Sequence, residues 1–168
     1  KLRDRFQAQF IYVDYFAYSG AYEDGGVAVD GSPVIGIKAL DNLKTHFSSK
    51  TDGLILWTAA ILFEEDENTF QELVVRLSAL GWRDRLKRLD KQESLKDGDI
   101  GLICGDSSQY VDRVLNYVES TKNTYTFHFI DPYGFRAVER DNIQRIVASK
   151  GADCIINMMF DPIYRFLK

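Results

Sequence analysis

Short apolar runs alternate with helical patterns along this sequence, and this alternation constrains the fold more than any other feature. The runs are rich in β-branched and aromatic residues, which is typical of buried strands. Predicted strands cover residues 10–16, 60–63, 100–104, 126–130 and 154–159. Strands that alternate with helices predict an α/β fold, namely a Rossmann-like three-layer sandwich with a mostly parallel sheet.

The predicted helices have start and stop signals. Ser32 and Pro33 predict an N-cap and a first-turn proline, Asn68 or Thr69 can cap the next helix, and Gly81 ends it. Each helix carries an apolar stripe that can pack on the sheet. The stripes are Val34, Ile37, Leu40, Leu43 and Phe47; Phe70, Leu73, Val74, Leu77 and Leu80; Tyr110, Val111, Val114, Leu115 and Val118; and Ile143, Ile146 and Val147.

Length and composition fit one globular domain over residues 1–168, which can be part of a longer chain that carries the last strands of the sheet. The hydrophobic share of 45% and the charged share of 27% argue against disorder. With no signal peptide and no apolar run near the roughly twenty residues of a membrane span, we expect a cytoplasmic protein without membrane contact. The Gly- and Asp-rich stretch 19–31 is predicted to be a loop.

The cysteines and histidines do not predict a metal site or a disulfide. Cys104 and Cys154 lie in predicted strands without ligand-like spacing, so we expect both to be buried core residues. His46 and His128 have no partner at a nucleophile–base spacing, and no serine or cysteine triad, P-loop or glycosidase-type carboxylate pair is present.

The net charge of −4 argues mildly against a chain that binds nucleic acid through its whole surface. One basic cluster contrasts with this overall negative charge, and it consists of Arg83, Arg85, Lys87, Arg88 and Lys91. The simpler interpretation is a solvated helix face. The alternative is a contact with nucleic acid or a partner protein.

Acidic residues lie at or near the carboxyl ends of four of the predicted strands: Asp14, Glu64, Asp106 and Asp131. In an open parallel sheet the ligand binds beyond the carboxyl ends of the strands, at the point where the strand order reverses. We therefore expect these four side chains to converge on one edge of the sheet and to form a binding site there.

The acids after the second and third strands can contact a nucleoside. Glu64, with Glu65 or Asp66 behind it, can accept hydrogen bonds from both hydroxyls of a ribose. The alternative is that it only complements the dipole of the next helix. Asp106 and the adjacent Ser107 are expected to contact a nucleoside cofactor, with Asp106 accepting from the exocyclic amine of adenine. The alternative is that Asp106 caps the following helix, a role for which Ser107 competes.

The first strand leads into a loop that we predict to approach the ligand closely. Asp14 begins it, and Phe16, Ala17, Tyr18 and Gly20 follow. Small residues allow the backbone to come near a ligand. Tyr18 interrupts this pattern, since a tyrosine there either blocks the ligand or stacks on it.

The string Asp131-Pro132-Tyr133-Gly134-Phe135 is the most specific short motif. An acid followed by proline at a strand end gives a rigid turn whose oxygens can face an amino group. An aromatic side chain of the motif can then stack on a flipped base. The alternative is a plain turn with aromatic core anchors. A dinucleotide-binding enzyme is disfavoured because the first strand is not followed by G-x-G-x-x-G.

Seven motifs in order give the chain a resemblance to the three-Cys-motif partner protein family, over residues 10–167. The motifs are Tyr12-Val13-Asp14 to Gly20, Tyr22-Glu23-Asp24-Gly25, Gly31-Ser32-Pro33, Phe63-Glu64-Glu65-Asp66, Gly105-Asp106, Phe129 to Phe135 and Ile156-Asn157-Met158-Met159. The resemblance implies a class I methyltransferase-like domain from a bacterial system that includes a three-cysteine-motif protein. It also implies S-adenosylmethionine as cofactor, the contacts proposed above, and a substrate-facing role for residues 131–135.

Two details of the resemblance bear on activity. The Asp-Pro-aromatic-Gly string is similar to the fourth motif of enzymes that methylate an exocyclic amine of tRNA guanine. Tyr18 stands where the family usually has the first glycine of Phe-Ala-Gly-x-Gly. The sequence thus predicts a methyltransferase for an amino group, with a nucleic-acid base as the favoured target. The alternative is a catalytically reduced partner subunit, with a role in bacterial defence as one option.

Overall fold

The computed structural model describes residues 6–50, 54–91, 94–132 and 139–157. These residues form eight strands and four α-helices, joined in places by short π- and 3₁₀-helical turns. In chain order they are β1 Phe6–Asp14, β2 Ala21–Asp24, β3 Val27–Asp30, α1 Ser32–Lys50, β4 Leu54–Glu64, α2 Glu67–Leu77, β5 Leu86–Arg88, β6 Ile100–Cys104, α3 Val111–Ser120, β7 Thr124–Ile130, α4 Arg140–Ala148 and β8 Ala152–Ile156.

Six of the strands form one parallel sheet in the order β5-β6-β4-β1-β7-β8. From β1 the chain moves outward to β4 and on to the edge strand β5, and it then comes back to form β6 between them. After β6 it crosses to the other side of β1 to form β7 and β8. The strand order therefore reverses between β1 and β7, and this switch point is where an open α/β sheet leaves a crevice for a ligand. The predicted Rossmann-like α/β fold is confirmed.

Helices cover both faces of the sheet, because alternate residues of each strand point to opposite faces. On β1, Ile11 and Val13 pack with α3 and α4, whereas Tyr12 packs with α1 and α2. The first face buries Val111, Val114, Leu115 and Ile146 of its helices, and the second buries Val34, Ile37, Leu40, Phe70, Leu73 and Leu77. The predicted stripes are thus the core-facing sides of the helices, except that Leu80 and Val147 are exposed.

Three strands are longer at their amino ends than the apolar runs predict. β1 begins at Phe6, β4 at Leu54 and β7 at Thr124. These first residues include polar side chains, such as Gln7 and Gln9, that can remain in contact with solvent. The last strand is β8, residues 152–156, and residues 158–159 lie outside the described residues.

The predicted loop 19–31 contains a β-hairpin, so that prediction is wrong for most of its length. Strands β2 and β3 pair in antiparallel register, and Gly25 and Gly26 connect them. Both glycines have positive φ, 58° and 83°, as the two-residue type I′ turn requires. The string Asp24-Gly25-Gly26 is the part of the sequence that indicates this hairpin turn.

Two helix starts differ from the prediction. The amide of Ile35 donates to the carbonyl of Gly31, which makes Gly31 rather than Ser32 the cap of α1. Helix α2 is capped by Asp66, whose Oδ1 accepts from the Thr69 amide at 2.8 Å. Aspartate at this position satisfies an amide of the first turn, so neither Asn68 nor Thr69 is needed as the cap.

The basic cluster is not a helix face, and two of its three arginines, Arg85 and Arg88, are used within the fold. Residues 83–91 form two 3₁₀ turns around the edge strand β5. Arg85 donates to both carboxylate oxygens of Asp41, at 2.8 and 3.0 Å. Arg88 pairs with Asp90 in the same way and lies 4.6 Å above the Phe70 ring. Such bidentate pairs favour a structural role for these two arginines.

The cysteines lie in strands, as predicted, but each is only half-buried. The Cys104 thiol donates to a Glu67 oxygen at 3.0 Å, and burial raises the pKa of Cys104 to about 11. Within the described residues no group of His, Cys, Asp and Glu could hold a metal ion. None of the helices described here combines the length and apolar character needed to cross a bilayer.

Candidate functional site

The four predicted acids share one edge of the sheet. Asp14 lies opposite Leu62 of β4 and Phe129 of β7, near the carboxyl ends of both strands. Glu64 ends β4 opposite Cys104, two residues before Asp106. Asp131 directly follows β7, so Asp14 and Asp131 flank the switch point. The four acids therefore lie at the same edge of the sheet, and the binding site that they are expected to form stays a prediction.

Asp14 is fully buried at this edge. Its Oδ2 accepts from the Tyr12 hydroxyl at 2.8 Å, and its Oδ1 accepts from the Phe16 amide at 3.1 Å. The pKa of Asp14 is raised to about 6. Burial is the largest cause and the charge of Asp131 adds to the rise, whereas hydrogen bonds from Ser32, Tyr12 and Phe16 oppose it. The carboxylate therefore shapes the start of the first loop and offers no exposed surface for a ligand.

The first loop is compact and has a strained position. The Ala17 amide donates to the Phe63 carbonyl at 2.8 Å, and the Gly20 amide donates to the Ala17 carbonyl at 3.2 Å. Tyr18 has φ of 50° and Gly20 has φ of 76°. The backbone of residue 18 thus has the left-handed conformation that glycine adopts most easily, although the residue is a tyrosine. Its side chain is 64% exposed.

Replacing Tyr18 by glycine is expected to stabilise the fold by about 0.5–1 kcal/mol, because relief of left-handed strain exceeds the entropy cost of glycine. Tyr22→Gly is the matched control, since Tyr22 is similarly exposed but lies in strand β2. We expect that variant to lose about 1 kcal/mol through β-propensity. Urea unfolding measures both. Destabilisation by both variants would contradict a strained residue 18.

Glu64 is half-buried and uses one oxygen to order the turn into α2. Its Oε1 accepts from the Asp66 amide at 2.9 Å. Its other oxygen has no hydrogen-bond partner among the residues that the structure describes. Glu65 is exposed beside it. Glu64 is therefore able to accept from a ligand while it holds the turn.

Asp106 caps the turn that precedes α3. Its Oδ1 accepts from the Ser108 amide at 2.9 Å and its Oδ2 accepts from the Ser108 hydroxyl at 2.8 Å. The capping alternative is thus observed, and Asp106 rather than Ser107 has this role. Ser107 is buried and lines a cleft.

The Asp-Pro motif is described only at its start. Asp131 Oδ1 accepts from the Asn157 side-chain amide at 2.9 Å, which ties the end of β7 to the end of β8. Pro132 is buried. Tyr133, Gly134 and Phe135 lie outside the described residues, so their predicted stacking and substrate-facing roles stay predictions.

A shallow cleft with a cavity volume of about 20 Å³, room for about one water molecule, opens beside the switch point, on the face covered by α3 and α4. It is lined by Tyr15, Phe16, Ser107, Ser108, Val111, Ile130, Glu139, Asn142, Ile143 and Ile146. Two of the predicted ligand contacts, Phe16 and Ser107, are among these residues. The walls are mainly apolar with a few hydroxyl and amide groups, as in small-molecule sites, but the volume is far below that of such sites.

Sequence analysis missed a buried polar network next to the cleft. The Tyr15 hydroxyl lies 3.0 Å from His128 Nδ1, and His128 Nε2 lies 2.8 Å from Thr126 Oγ1. The Tyr15 ring is stacked between Phe63 and His128, at centroid distances of 5.5 and 5.8 Å. Tyr15 and His128 are 113 residues apart, so only the pairing of β1 with β7 reveals this contact.

One side chain at this edge suits the chemistry of S-adenosylmethionine, because a carboxylate oxygen of Glu64 can accept from ribose hydroxyls. The cleft, at about 20 Å³, does not enclose an adenine ring. Asp106 fits less directly, because both of its oxygens already accept hydrogen bonds within the loop. Comparison with protein-family models, curated proteins and solved structures finds no match to this chain. Function is therefore inferred from the fold and from the geometry of the site.

Proposed function

We propose that this chain is an S-adenosylmethionine-dependent methyltransferase that acts on an amino group, with a nucleic-acid base as the target. The observation that carries the proposal is the convergence of Asp14, Glu64, Asp106 and Asp131 on the edge that contains the switch point. An open α/β sheet binds its ligand at that point. The resemblance to the three-Cys-motif partner family supports the same cofactor.

Each residue has a defined role in this proposal. Glu64 accepts from the ribose hydroxyls with the oxygen that Asp66 does not use. Asp106 holds the loop that presents Ser107 to the cleft, and Asp14 holds the loop that presents Phe16. Two of the four acids thus act by ordering the backbone around the ligand.

The bound cofactor would supply an electrophilic methyl group, and the protein would have to hold the amino group in line with it. The proton that the amine then loses goes to the Asp131 carboxylate or to water. Asn157 holds this carboxylate at the strand end, so the role of the protein is mainly positioning.

Calorimetric titration with S-adenosylhomocysteine tests the proposal. The wild-type protein should bind, and Glu64→Gln should bind about tenfold more weakly, because a charged acceptor for ribose is lost. Glutamine keeps an oxygen for the Asp66 amide, so the turn into α2 is retained.

Glu119→Gln is the matched control for that titration. Glu119 is exposed near the end of α3, towards the opposite edge of the sheet. Its replacement should leave the affinity unchanged. The proposal is wrong if wild-type protein gives no heat at millimolar ligand, or if both variants have the wild-type affinity.

A second candidate is a catalytically reduced partner subunit, and the strained Tyr18 favours it. This side chain occupies the loop position where the family resemblance places glycine, and two arginines of the basic cluster pair within the fold. A partner, for which a three-Cys-motif protein is the candidate, would then supply contacts to nucleic acid. Absence of binding in the wild type together with binding by Tyr18→Gly would favour this function.

A further inference from the structure

Strand β7 is buried on one side and open on the other. The residues that point to the face of α3 and α4 are all buried, and they are Thr124, Thr126, His128 and Ile130. Tyr125, Phe127 and Phe129 point to the face of α1 and α2. Tyr125 is 50% exposed there, and the two phenylalanines are only half-buried. On this face the described helices therefore leave β7 open.

The open surface continues on β8, the edge strand. Asp153 is in register with Phe127 and Ile155 with Phe129, so both side chains point to the same face as the phenylalanines. Both residues are exposed, Ile155 to 51%. We call the surface formed by Tyr125, Phe127, Phe129, Asp153 and Ile155 the open face. It is apolar except for one carboxylate.

Helix α1 forms a wall beside the open face. The Tyr12 ring of β1 stacks with Phe127 at a centroid distance of 6.2 Å, and a Cβ atom at Gly36 would collide with the same ring. Gly36 therefore lies on the flank of α1 that is nearest β7. Ala39 and Leu43 follow at helical spacing on this flank, and Ala39 is exposed. Small side chains here allow a second helix to pack closely against α1.

The groove between α1 and the open face has the dimensions of one helix. Neighbouring strands are about 5 Å apart, and the five residues from Tyr125 to Phe129 extend about 16 Å. An α-helix is about 10 Å wide, and three turns of it are about 16 Å long. A single helix of about eleven residues would therefore fill the groove and complete this layer of the sandwich.

We propose that the groove binds an amphipathic helix of a partner protein, with its apolar side on the open face and a lysine or arginine above Asp153. No residue in the described ranges forms an ion pair with Asp153. A basic side chain of the partner supplies the counter-ion and fixes the register of the helix. A second copy of this chain fits less well, because a two-fold interface would bring the two Asp153 carboxylates together.

This inference does not depend on the proposed function, because neither Glu64 nor the cleft belongs to the groove. A helical peptide of about 16 alanine-rich residues is a suitable probe, with leucines at i, i+3, i+4 and i+7 and one arginine beside them. In an NMR titration of the full chain, the peptide should shift the signals of Tyr125 and Ile155. Unshifted signals at millimolar peptide would overturn the proposal.

Variants of the open face test where the peptide binds. Ile155→Glu and Tyr125→Glu should each weaken binding at least tenfold, because they place a charge in the apolar contact. Val147→Glu is the matched control, since Val147 is similarly exposed on α4 at the other face of the sheet, and it should leave the affinity unchanged. Equal affinities of the three variants would overturn the proposal.

A charge exchange tests the role of Asp153. Asp153→Lys should weaken binding of the arginine peptide about threefold and strengthen binding of a peptide with glutamate in place of arginine by a similar factor. The same change for both peptides would overturn the ion pair.

Two further outcomes would assign the groove to another occupant and so overturn the partner helix. One is a wild-type dimer in analytical ultracentrifugation that Ile155→Glu converts to monomer, which would assign the groove to a second copy. The other is a tenfold gain in peptide affinity in Phe166→Glu, which would assign it to residues 158–168 of this chain.

Discussion

Gly36→Ala is expected to destabilise the protein by about 2 kcal/mol, which is an overpacking cost of about 3 kcal/mol less the gain of about 1 kcal/mol from alanine in a helix. A Cβ atom at this position would lie 2.6 Å from Cδ1 and from Cζ of the Tyr12 ring. Tyr12 is buried between α1 and the sheet and is hydrogen-bonded to Asp14, so the ring cannot move aside easily. Overpacking of this kind costs about 1–3 kcal/mol, occasionally more, and the close contact with several ring atoms places it at the upper end.

Ala39→Gly is the control for that variant, since Ala39 is exposed in the same helix. It should cost about 1 kcal/mol and so calibrates the helix propensity that Gly36→Ala must overcome. In a Tyr12→Leu background the Gly36→Ala penalty should fall, because the ring is gone. Urea unfolding measures all of these values. An increase in stability for Gly36→Ala alone would disprove the close approach of α1 to Tyr12.

Asp14→Asn is expected to remove a pH dependence of about 3 kcal/mol. The pKa of Asp14 is about 6 in the folded protein and 3.8 without the effects of the fold, mainly because the buried carboxylate is desolvated. Between these values the unfolded chain releases a proton that the folded chain keeps. Stability due to Asp14 is therefore complete below about pH 4, declines as the pH rises to about 6, and is constant above that.

Urea unfolding of the wild type and of Asp14→Asn between pH 4 and pH 7 tests this sign and size. The wild type should lose about 2 kcal/mol relative to the variant on going from pH 4 to pH 6, because the titrations are incomplete at these two limits. Tyr12→Phe should extend the decline to higher pH, because the Tyr12 hydroxyl lowers the pKa of Asp14. Parallel stability curves for the wild type and Asp14→Asn would show that the carboxyl is not desolvated. His128 is present in both proteins, so its own titration cancels.

The predictable parts of this fold are those that neighbouring residues determine. The run Ile100–Cys104 is apolar throughout and its predicted bounds match β6. The stripes of α1 and α2 follow from helical periodicity, and the shared edge of the four acids follows from parallel pairing alone. Each of these features needs only a local pattern and one general rule for α/β sheets.

The unpredicted parts depend on contacts between distant segments or on competing local roles. Arg85 pairs with Asp41, and Tyr15 contacts His128 across the switch point. The partners are far apart in the sequence, so no short stretch of sequence contains either pair. Asp66, Asn68 and Thr69 are all residue types that can cap a helix, so the sequence alone does not determine which of them caps α2. The hairpin was missed because its strands are short and exposed, which removes the apolar alternation.

The pairing of β1 with β7 has a consequence for synthesis of the chain. Gln9 of β1 pairs with Thr124 of β7. One side of β1 therefore has no strand to pair with until most of the domain has left the ribosome. Hairpin β2–β3, α1 and β4 can assemble earlier on the other side of that strand, because they are close in sequence. The crevice between Asp14 and Asp131 is therefore among the last features to close, and a nascent chain that is cut short before β7 exposes an unpaired strand open to aggregation.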